Sequence, residues 1–351
     1  MREMAEPRPT HVLERGQYDA AGAPVETRVP DWLPPLPAGA PANRLGLARW
    51  LFDPAHPLTA RVAVNRYWQQ LFGRGLVGTT TDFGNQGELP THPELLDWLA
   101  REYVDLGWDT KALLKTIVMS RTYRMSSVPP SEAQRLADVD NLWLARGPAG
   151  RLPAEMIRDN ALAAAGLLDP RIGGRSVKPY QPEGLWRMNN AVYEQDSGGD
   201  LYRRSLYVFW KRTVPHPTLA TFDQPNRNEC TVGRQETNTP LQALVLMNDP
   251  AFVEAARVLG TQITAATDRA SALRDVFTHL CGRPPTEEEL SVLQQVGRNE
   301  LGVFTDHPAK ATGWLTAGHT RPPAHLDPAA VAADAVLASV ILNSDAAITK
   351  R

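Results

Sequence analysis

Helix start signals recur along this chain of 351 residues and restrict it to a mainly α fold. In a capping box, a Ser or Thr side chain and a Glu or Gln three residues later each satisfy a free backbone N–H of the first helical turn. Pairs of this kind begin at Thr91, Thr239 and Thr286. A capping residue followed by proline, which suits the first helical position, occurs at Thr239-Pro240, Asp249-Pro250 and Asp327-Pro328.

The distribution of these signals predicts the organisation of the chain. We expect a mainly α, irregular multi-helix domain with long ordered loops and a small β element near 201–211. Residues 1–42 are rich in proline and read as an extended N-terminal arm. Two helical subdomains follow, 43–145 and 146–351, joined in one continuous domain. The second contains a central strand-loop-helix segment, 200–250.

Composition excludes several classes of protein. A hydrophobic content of 42% and a charged content of 22% are typical of a globular protein. A net charge of −2 does not favour nucleic acid as a partner. The two cysteines belong to no CxxC motif, so we expect neither a disulfide framework nor a metal site. The chain has no apolar run long enough for a membrane span, and its first residues lack the apolar core of a signal peptide.

The central segment contains an unusual cluster of cationic residues. Arg203, Arg204, Lys211 and Arg212 bracket the apolar run 206–210, with no acidic residue between them. Apolar residues on both faces of the predicted strand indicate that it is buried. Buried arginines need partners, which are either internal carboxylates or a bound anion. Internal ion pairs with the acids of the same segment are the favoured interpretation, and a ligand-binding site that includes the three arginines is the alternative.

The same predicted site extends to the helix start that follows. Arg234 and Asn238 precede the capping box formed by Thr239 and Gln242. Free N–H groups at a helix N-terminus suit a phosphate, sulfate or carboxylate. The capping box already satisfies part of that terminus, which weakens the case for an anion.

A second candidate pocket lies in the first helical subdomain. Arg66 extends from the polar side of a predicted helix, and Asp82, Glu88 and His92 lie in or beside the loop that follows it. Together the four could form a polar pocket. The alternative is a pair between an arginine and a carboxylate that fixes the loop to the helix.

Several sequence strings carry a resemblance to a known family. They are NRLGLARWL, PLTARVAVNRYWQQLFGRGLV, TDFGNQGELPTHPELLDWLA, LYRRSLYVFWKR and TNTPLQALVLMNDPAFVEAARVL. The chain resembles the planctomycete-specific, cytochrome-linked C-terminal domain of unknown function 1553, over nearly its whole length. The resemblance implies an upstream cytochrome c-like domain and a periplasmic or cell-envelope location. This chain has no CxxCH motif, so we expect haem c only on an upstream domain and no cofactor here.

Two functions from different classes are compatible with these features. The first is a non-catalytic helical accessory or binding domain that holds the cytochrome c-like partner, a small anion or a saccharide. The alternative is an envelope hydrolase acting on complex carbohydrate, which requires a pair of carboxylates across a cleft. The candidate carboxylates are Asp82, Glu88, Asp223, Glu229 and Glu236.

Overall fold

The computed structural model describes residue 4, residues 8–189 and residues 191–350. It confirms the mainly α fold. The chain divides into two compact units, Met1–Gly147 and Pro148–Arg351, which we call the N-terminal unit and the C-terminal unit. Within the described part of the chain, no helix combines the length and apolar character needed to span a bilayer.

The N-terminal unit contains a short hairpin and five helices among its described residues. Its elements are β1 (Thr10–Leu13), β2 (Ala21–Val25), α1 (Arg44–Leu51), α2 (Thr59–Phe72), α3 (Pro93–Asp105), α4 (Thr110–Val118) and α5 (Glu132–Ala137). The antiparallel hairpin β1–β2 lies within the predicted arm 1–42, of which residues 1–3 and 5–7 are outside the described part. Helices α2, α3 and α4 bury a shared cluster around Val64, Leu99 and Leu113.

The C-terminal unit is larger, and its regular secondary structure is almost entirely helical. Its elements are β3 (Gly150–Arg151), α6 (Ala154–Ala164), α7 (Pro217–Thr221), α8 (Pro240–Asn248), α9 (Pro250–Ala265), α10 (Arg269–Cys281), α11 (Glu287–Asp306), α12 (Thr312–Thr316), α13 (Pro328–Leu342), α14 (Asp345–Ile348) and β4 (Thr349–Lys350). Strands β3 and β4 pair antiparallel. This pairing holds the end of the chain beside the start of α6.

Helices α9 and α13 form the centre of the C-terminal unit. Leu259 and Ile263 of α9 and Leu337 of α13 are fully buried in the same cluster. The two backbones approach closely at Gly260, where a Cβ atom would lie 2.4 Å from the Ala335 nitrogen. The absence of a side chain at Gly260 therefore sets the distance between the two central helices.

The structure differs from the prediction between residues 201 and 211. Instead of a continuous strand it contains two short 3-10 turns, Gly198–Tyr202 and Ser205–Tyr207, and isolated β-bridges at Arg203 and Val208. Burial explains the difference. Leu201, Tyr202 and Arg203 are buried in succession, as are Ser205 and Val208, whereas Leu206 is 70% exposed, so burial does not follow the two-residue period of a strand.

Two of the three predicted capping boxes are confirmed. Thr239 and Thr286 each cap a helix together with the residue three positions later. The box predicted at Thr91 is wrong, because the cap of α3 is His92 and its side chain makes no capping bond. The Thr91 hydroxyl donates instead to the Leu76 carbonyl oxygen, at 3.3 Å.

The Thr286 box gives a pH-dependent contribution to stability. The Arg283 guanidinium and the Thr286 N–H lower the pKa of the Glu289 carboxyl from 4.5 to about 2. Because the folded-state pKa lies below the unfolded value, the contribution is fully present above about pH 4.5 and is lost as pH falls through about 2. Glu289→Gln keeps the capping acceptor but removes the charge.

We expect Glu289→Gln to lower the free energy of unfolding by roughly 1 kcal/mol at pH 7, because both partners are about one-third exposed. Urea unfolding at pH 7 and at lower pH measures the difference, which should shrink as pH approaches 2. Glu288→Gln, at an exposed position in the same turn, is the matched control. A loss of equal size at every pH would contradict the ion pair as its source.

Candidate functional site

Arg203 is buried, and its partners are backbone carbonyl groups. Its terminal nitrogens donate to the carbonyl oxygens of Arg175 at 3.1 Å, Arg171 at 3.0 Å and Gly173 at 2.6 Å. Its guanidinium also lies 3.9 Å from the centre of the Tyr207 ring. These contacts hold the 171–175 loop against the central segment and satisfy both terminal nitrogens without an acid, whereas the buried Nε–H meets no partner among the described residues.

The other predicted arginines of the segment face solvent. Arg204 is exposed, and the exposed Arg212 donates to the Asn228 side-chain oxygen at 3.1 Å. The fully buried cation here is Arg158, from α6, which donates to the Leu201 carbonyl oxygen at 2.7 Å. Arg158 was not predicted from the sequence because it lies more than 40 residues before the central segment.

A pocket of 410 Å³ opens at the start of α8. We call it the α8 pocket. It includes three of the predicted site residues, Asn238, Thr239 and Gln242, but not the arginines at 203, 204, 212 and 234. The polar groups that define its chemistry belong to Arg151, Glu236, Asn238, Gln242, Asn343 and Asp345.

The side chain of Gln242 takes part in the hydrogen bonding at the start of α8. It is 4% exposed, and its side-chain oxygen accepts from the Thr239 N–H at 3.3 Å. Its side-chain nitrogen donates to the carbonyl oxygens of Thr221 and Thr237, each at 3.0 Å. The first turn of α8 therefore offers an anion fewer free donors than an uncapped helix would.

Arg151 lines the pocket, but its charge is balanced. It donates to the Asp223 carboxylate at 2.6 Å, and the two side chains are 13% and 14% exposed. The same carboxylate accepts from the Thr237 N–H at 2.8 Å. Burial alone would raise the pKa of Asp223, but Arg151 and Thr237 outweigh it and the pKa lies below its ordinary value. Asp223 therefore stays charged and neutralises Arg151 locally.

Arg234 anchors the loop before α8. It contacts Glu155 of α6 through both terminal nitrogens, at 2.5 and 3.1 Å, and Gln224 donates to the same carboxylate at 2.9 Å. Burial would raise the pKa of Glu155, but the bonds from Arg234 and Gln224 lower it overall. Arg234 thus fixes the loop that carries Glu236 and Asn238.

The carboxylates within the α8 pocket are Glu236 and Asp345. Asp345 accepts from the Thr349 hydroxyl at 2.8 Å. Of the acids considered for a hydrolase, only Glu236 lines this pocket, while Asp223 is engaged by Arg151. The pocket therefore combines acceptor-only carboxylates with amides that both donate and accept.

The second candidate pocket is not assembled. Asp82 accepts from the Gly84 N–H at 2.7 Å, which closes a local turn. Glu88 pairs with Arg74 at 2.6 Å, whereas Arg66 is exposed. The pair of Arg74 and Glu88 joins two parts of the loop after α2, whereas the alternative interpretation expected an arginine of the helix itself.

The fourth residue of that set, His92, contacts the neighbouring Thr91 hydroxyl at 3.0 Å. The buried contact that holds the loop against α2 is made by Asn65. Its amide donates to the Val77 carbonyl oxygen at 3.1 Å and accepts from the Val77 N–H at 2.9 Å. An asparagine within the apolar run of a helix was the sequence signal for this role.

A model described as PSD1, protein of unknown function (DUF1553), matches residues 43–296. The chain belongs to the DUF1553 family. No curated protein and no solved structure matches it. The DUF1553 match includes the start of α8, whereas Asn343 and Asp345 of the α8 pocket lie beyond the matched residues.

Proposed function

We propose that this DUF1553 chain is a binding domain whose α8 pocket holds a neutral polyhydroxyl ligand of the saccharide class. One observation carries the proposal: the pocket presents Glu236 and Asp345 together with the amides of Asn238 and Asn343, while Arg151 is already paired. A volume of 410 Å³ falls within the range of small-molecule pockets.

Charge is the reason for a neutral ligand. A sulfate or phosphate would approach two carboxylates and a helix terminus that is already capped. A metal ion would find too few ligands, since no group of three or more His, Cys, Asp or Glu side chains is brought together among the described residues. A sugar hydroxyl can donate to a carboxylate in a charge-assisted bond and accept from an amide of Asn238 or Asn343.

The proposal includes a setting in the periplasm or cell envelope, with a haem c-bearing domain upstream. The resemblance of the sequence strings supports this setting, and an envelope location would give access to saccharides. Haem staining of the native polypeptide in envelope fractions tests it. A haem-free polypeptide confined to the cytoplasm would contradict it.

Isothermal titration with cellobiose, maltose and sodium sulfate tests the ligand class. We expect at least one disaccharide to bind more tightly than sulfate, and Glu236→Ala to weaken that binding by about tenfold or more because a charged acceptor is lost. Glu229→Ala, an exposed acid of the same loop, is the matched control and should bind as the wild type.

Two results, one from this titration and one from an assay of released sugar, would contradict the proposal. Tighter binding of sulfate than of either sugar would make the pocket an anion site. Release of reducing sugar by the wild type, lost in Glu236→Ala, would make the chain a hydrolase and not a binding domain.

A further inference from the structure

Two lysines lie together beside the Trp186 ring in the C-terminal unit. The ammonium groups of Lys211 and Lys178 are 4.3 and 5.5 Å from the centre of that ring. Lys178 is also 5.8 Å from the centre of the Phe209 ring, which packs against Trp186 with the ring centres 5.8 Å apart. Both lysines are partly exposed, so the aromatic pair brings two accessible positive charges together.

Two arginines extend the positive charge along the same segment. The Arg227 guanidinium lies 5.0 Å from the centre of the Trp210 ring, and Arg212 donates to the side-chain oxygen of Asn228 at 3.1 Å. Both arginines are exposed. Segment 209–212 therefore lies between two pairs of cations. We call the four residues, Lys178, Lys211, Arg212 and Arg227, the cationic surface.

The cationic surface has no counter-charge of its own within the described chain. None of its four residues forms an ion pair with a carboxylate there. The nearby Asp196 accepts from the Lys178 backbone N–H at 2.7 Å, but its charge is paired with Arg175 at 2.8 Å. Glu229, which follows Asn228, is exposed and pairs with none of the four. Clustered cations of this kind attract a polyanion, because each pairing releases salt ions from the polymer.

The aromatic rings of this region distinguish between possible polyanions. Trp186 is only 8% exposed, and Trp210 has Arg227 over its ring, so little aromatic surface remains on which nucleic-acid bases could stack. A protein interface needs an apolar core, and the exposed ring here is that of Phe209, at 40%. The negative charge of the partner is therefore the main feature that this surface can recognise.

We infer that the cationic surface binds an acidic polysaccharide, whose carboxylate groups pair with Lys178, Lys211, Arg212 and Arg227. Arginine matches a carboxylate through two parallel donors, and lysine adds a point charge. None of the four residues lines the α8 pocket, so this site does not depend on the proposed binding of a neutral saccharide there.

Titration with sodium polygalacturonate, an acidic polysaccharide, and with dextran, a neutral one, tests this inference. We expect the wild type to bind polygalacturonate but not dextran, and to bind it more weakly as sodium chloride is added. Arg212→Gln/Arg227→Gln should weaken this binding roughly tenfold, because two exposed ion pairs are lost. Both arginines are exposed, so the midpoint of thermal unfolding should stay close to that of the wild type.

Lys111→Gln/Lys115→Gln is the matched control, because it removes the same charge from exposed positions of α4. It should bind polygalacturonate as the wild type does, and so should Glu236→Ala in the α8 pocket. An unchanged affinity in Arg212→Gln/Arg227→Gln, an equal loss in the lysine control, or equal binding of dextran would overturn the inference. Tighter binding of oligothymidylate or polyglutamate than of polygalacturonate would also overturn it, and would assign the surface to a nucleic acid or an acidic protein.

Discussion

Replacing Glu254 by alanine is expected to lower the free energy of unfolding of the C-terminal unit by about 3–5 kcal/mol. The Glu254 side chain is fully buried in α9 and accepts from the hydroxyls of Tyr180 at 2.7 Å and Tyr202 at 3.0 Å. The Thr320 N–H donates to it at 2.6 Å, and Arg257, 1% exposed, lies 3.5 Å away. Its removal leaves the hydroxyls of Tyr180 and Tyr202 without their acceptor and the buried Arg257 without its carboxylate, with only the oxygens of Thr320 as partners.

The two tyrosines keep their protons at pH 7 and donate to Glu254. Burial and the charge of Glu254 raise the pKa of Tyr202 to about 12 and that of Tyr180 further. Urea unfolding of Glu254→Ala at pH 7 measures the loss. Glu288→Ala, an exposed acid in α11, should cost less than about 1 kcal/mol. Similar losses in both variants would show that the buried network contributes nothing beyond a surface charge.

Gly260→Ala is expected to destabilise the C-terminal unit by about 1–3 kcal/mol, through overpacking. A Cβ atom at Gly260 would lie 2.4 Å from the Ala335 nitrogen and 2.7 Å from the Asp334 carbonyl carbon. Both neighbours are backbone atoms of α13, so relief requires the two central helices to move apart. Chemical unfolding of the variant measures the cost.

Gly302→Ala is the matched control for this effect. Gly302 also lies within a helix, α11, but a Cβ atom there would meet nothing within 4 Å. Alanine should therefore stabilise the helix by about 0.5–1 kcal/mol. Opposite signs for the two substitutions are the expected result, and equal stabilisation would contradict a close approach of α9 and α13 at Gly260.

Helix starts were predictable because their signals are local. Thr239 with Gln242 and Thr286 with Glu289 are pairs within one turn, and both cap as expected. The capping box predicted at Thr91 was wrong because the Thr91 hydroxyl has a competing acceptor in the preceding loop. The strand predicted at 201–211 was wrong for a different reason, since a short apolar run fits both a strand and a 3-10 turn.

The candidate site was predictable only in part. Asn238 was found because it adjoins a helix start, whereas Arg151 enters the α8 pocket from β3 and Asp345 from α14. No sequence pattern joins residues so far apart. The partners of the buried Arg203 could not be predicted either, because they are backbone carbonyl oxygens, which every residue has.

Hydrogen–deuterium exchange with and without the tightest-binding disaccharide is the most direct test of the saccharide site in the α8 pocket. The pocket contains segments 236–246 and 343–349, which are far apart in the chain. We predict slower amide exchange in both segments together, and unchanged exchange there when sodium sulfate replaces the sugar. Protection by sulfate but not by the sugar, or no protection of either segment, would contradict the account.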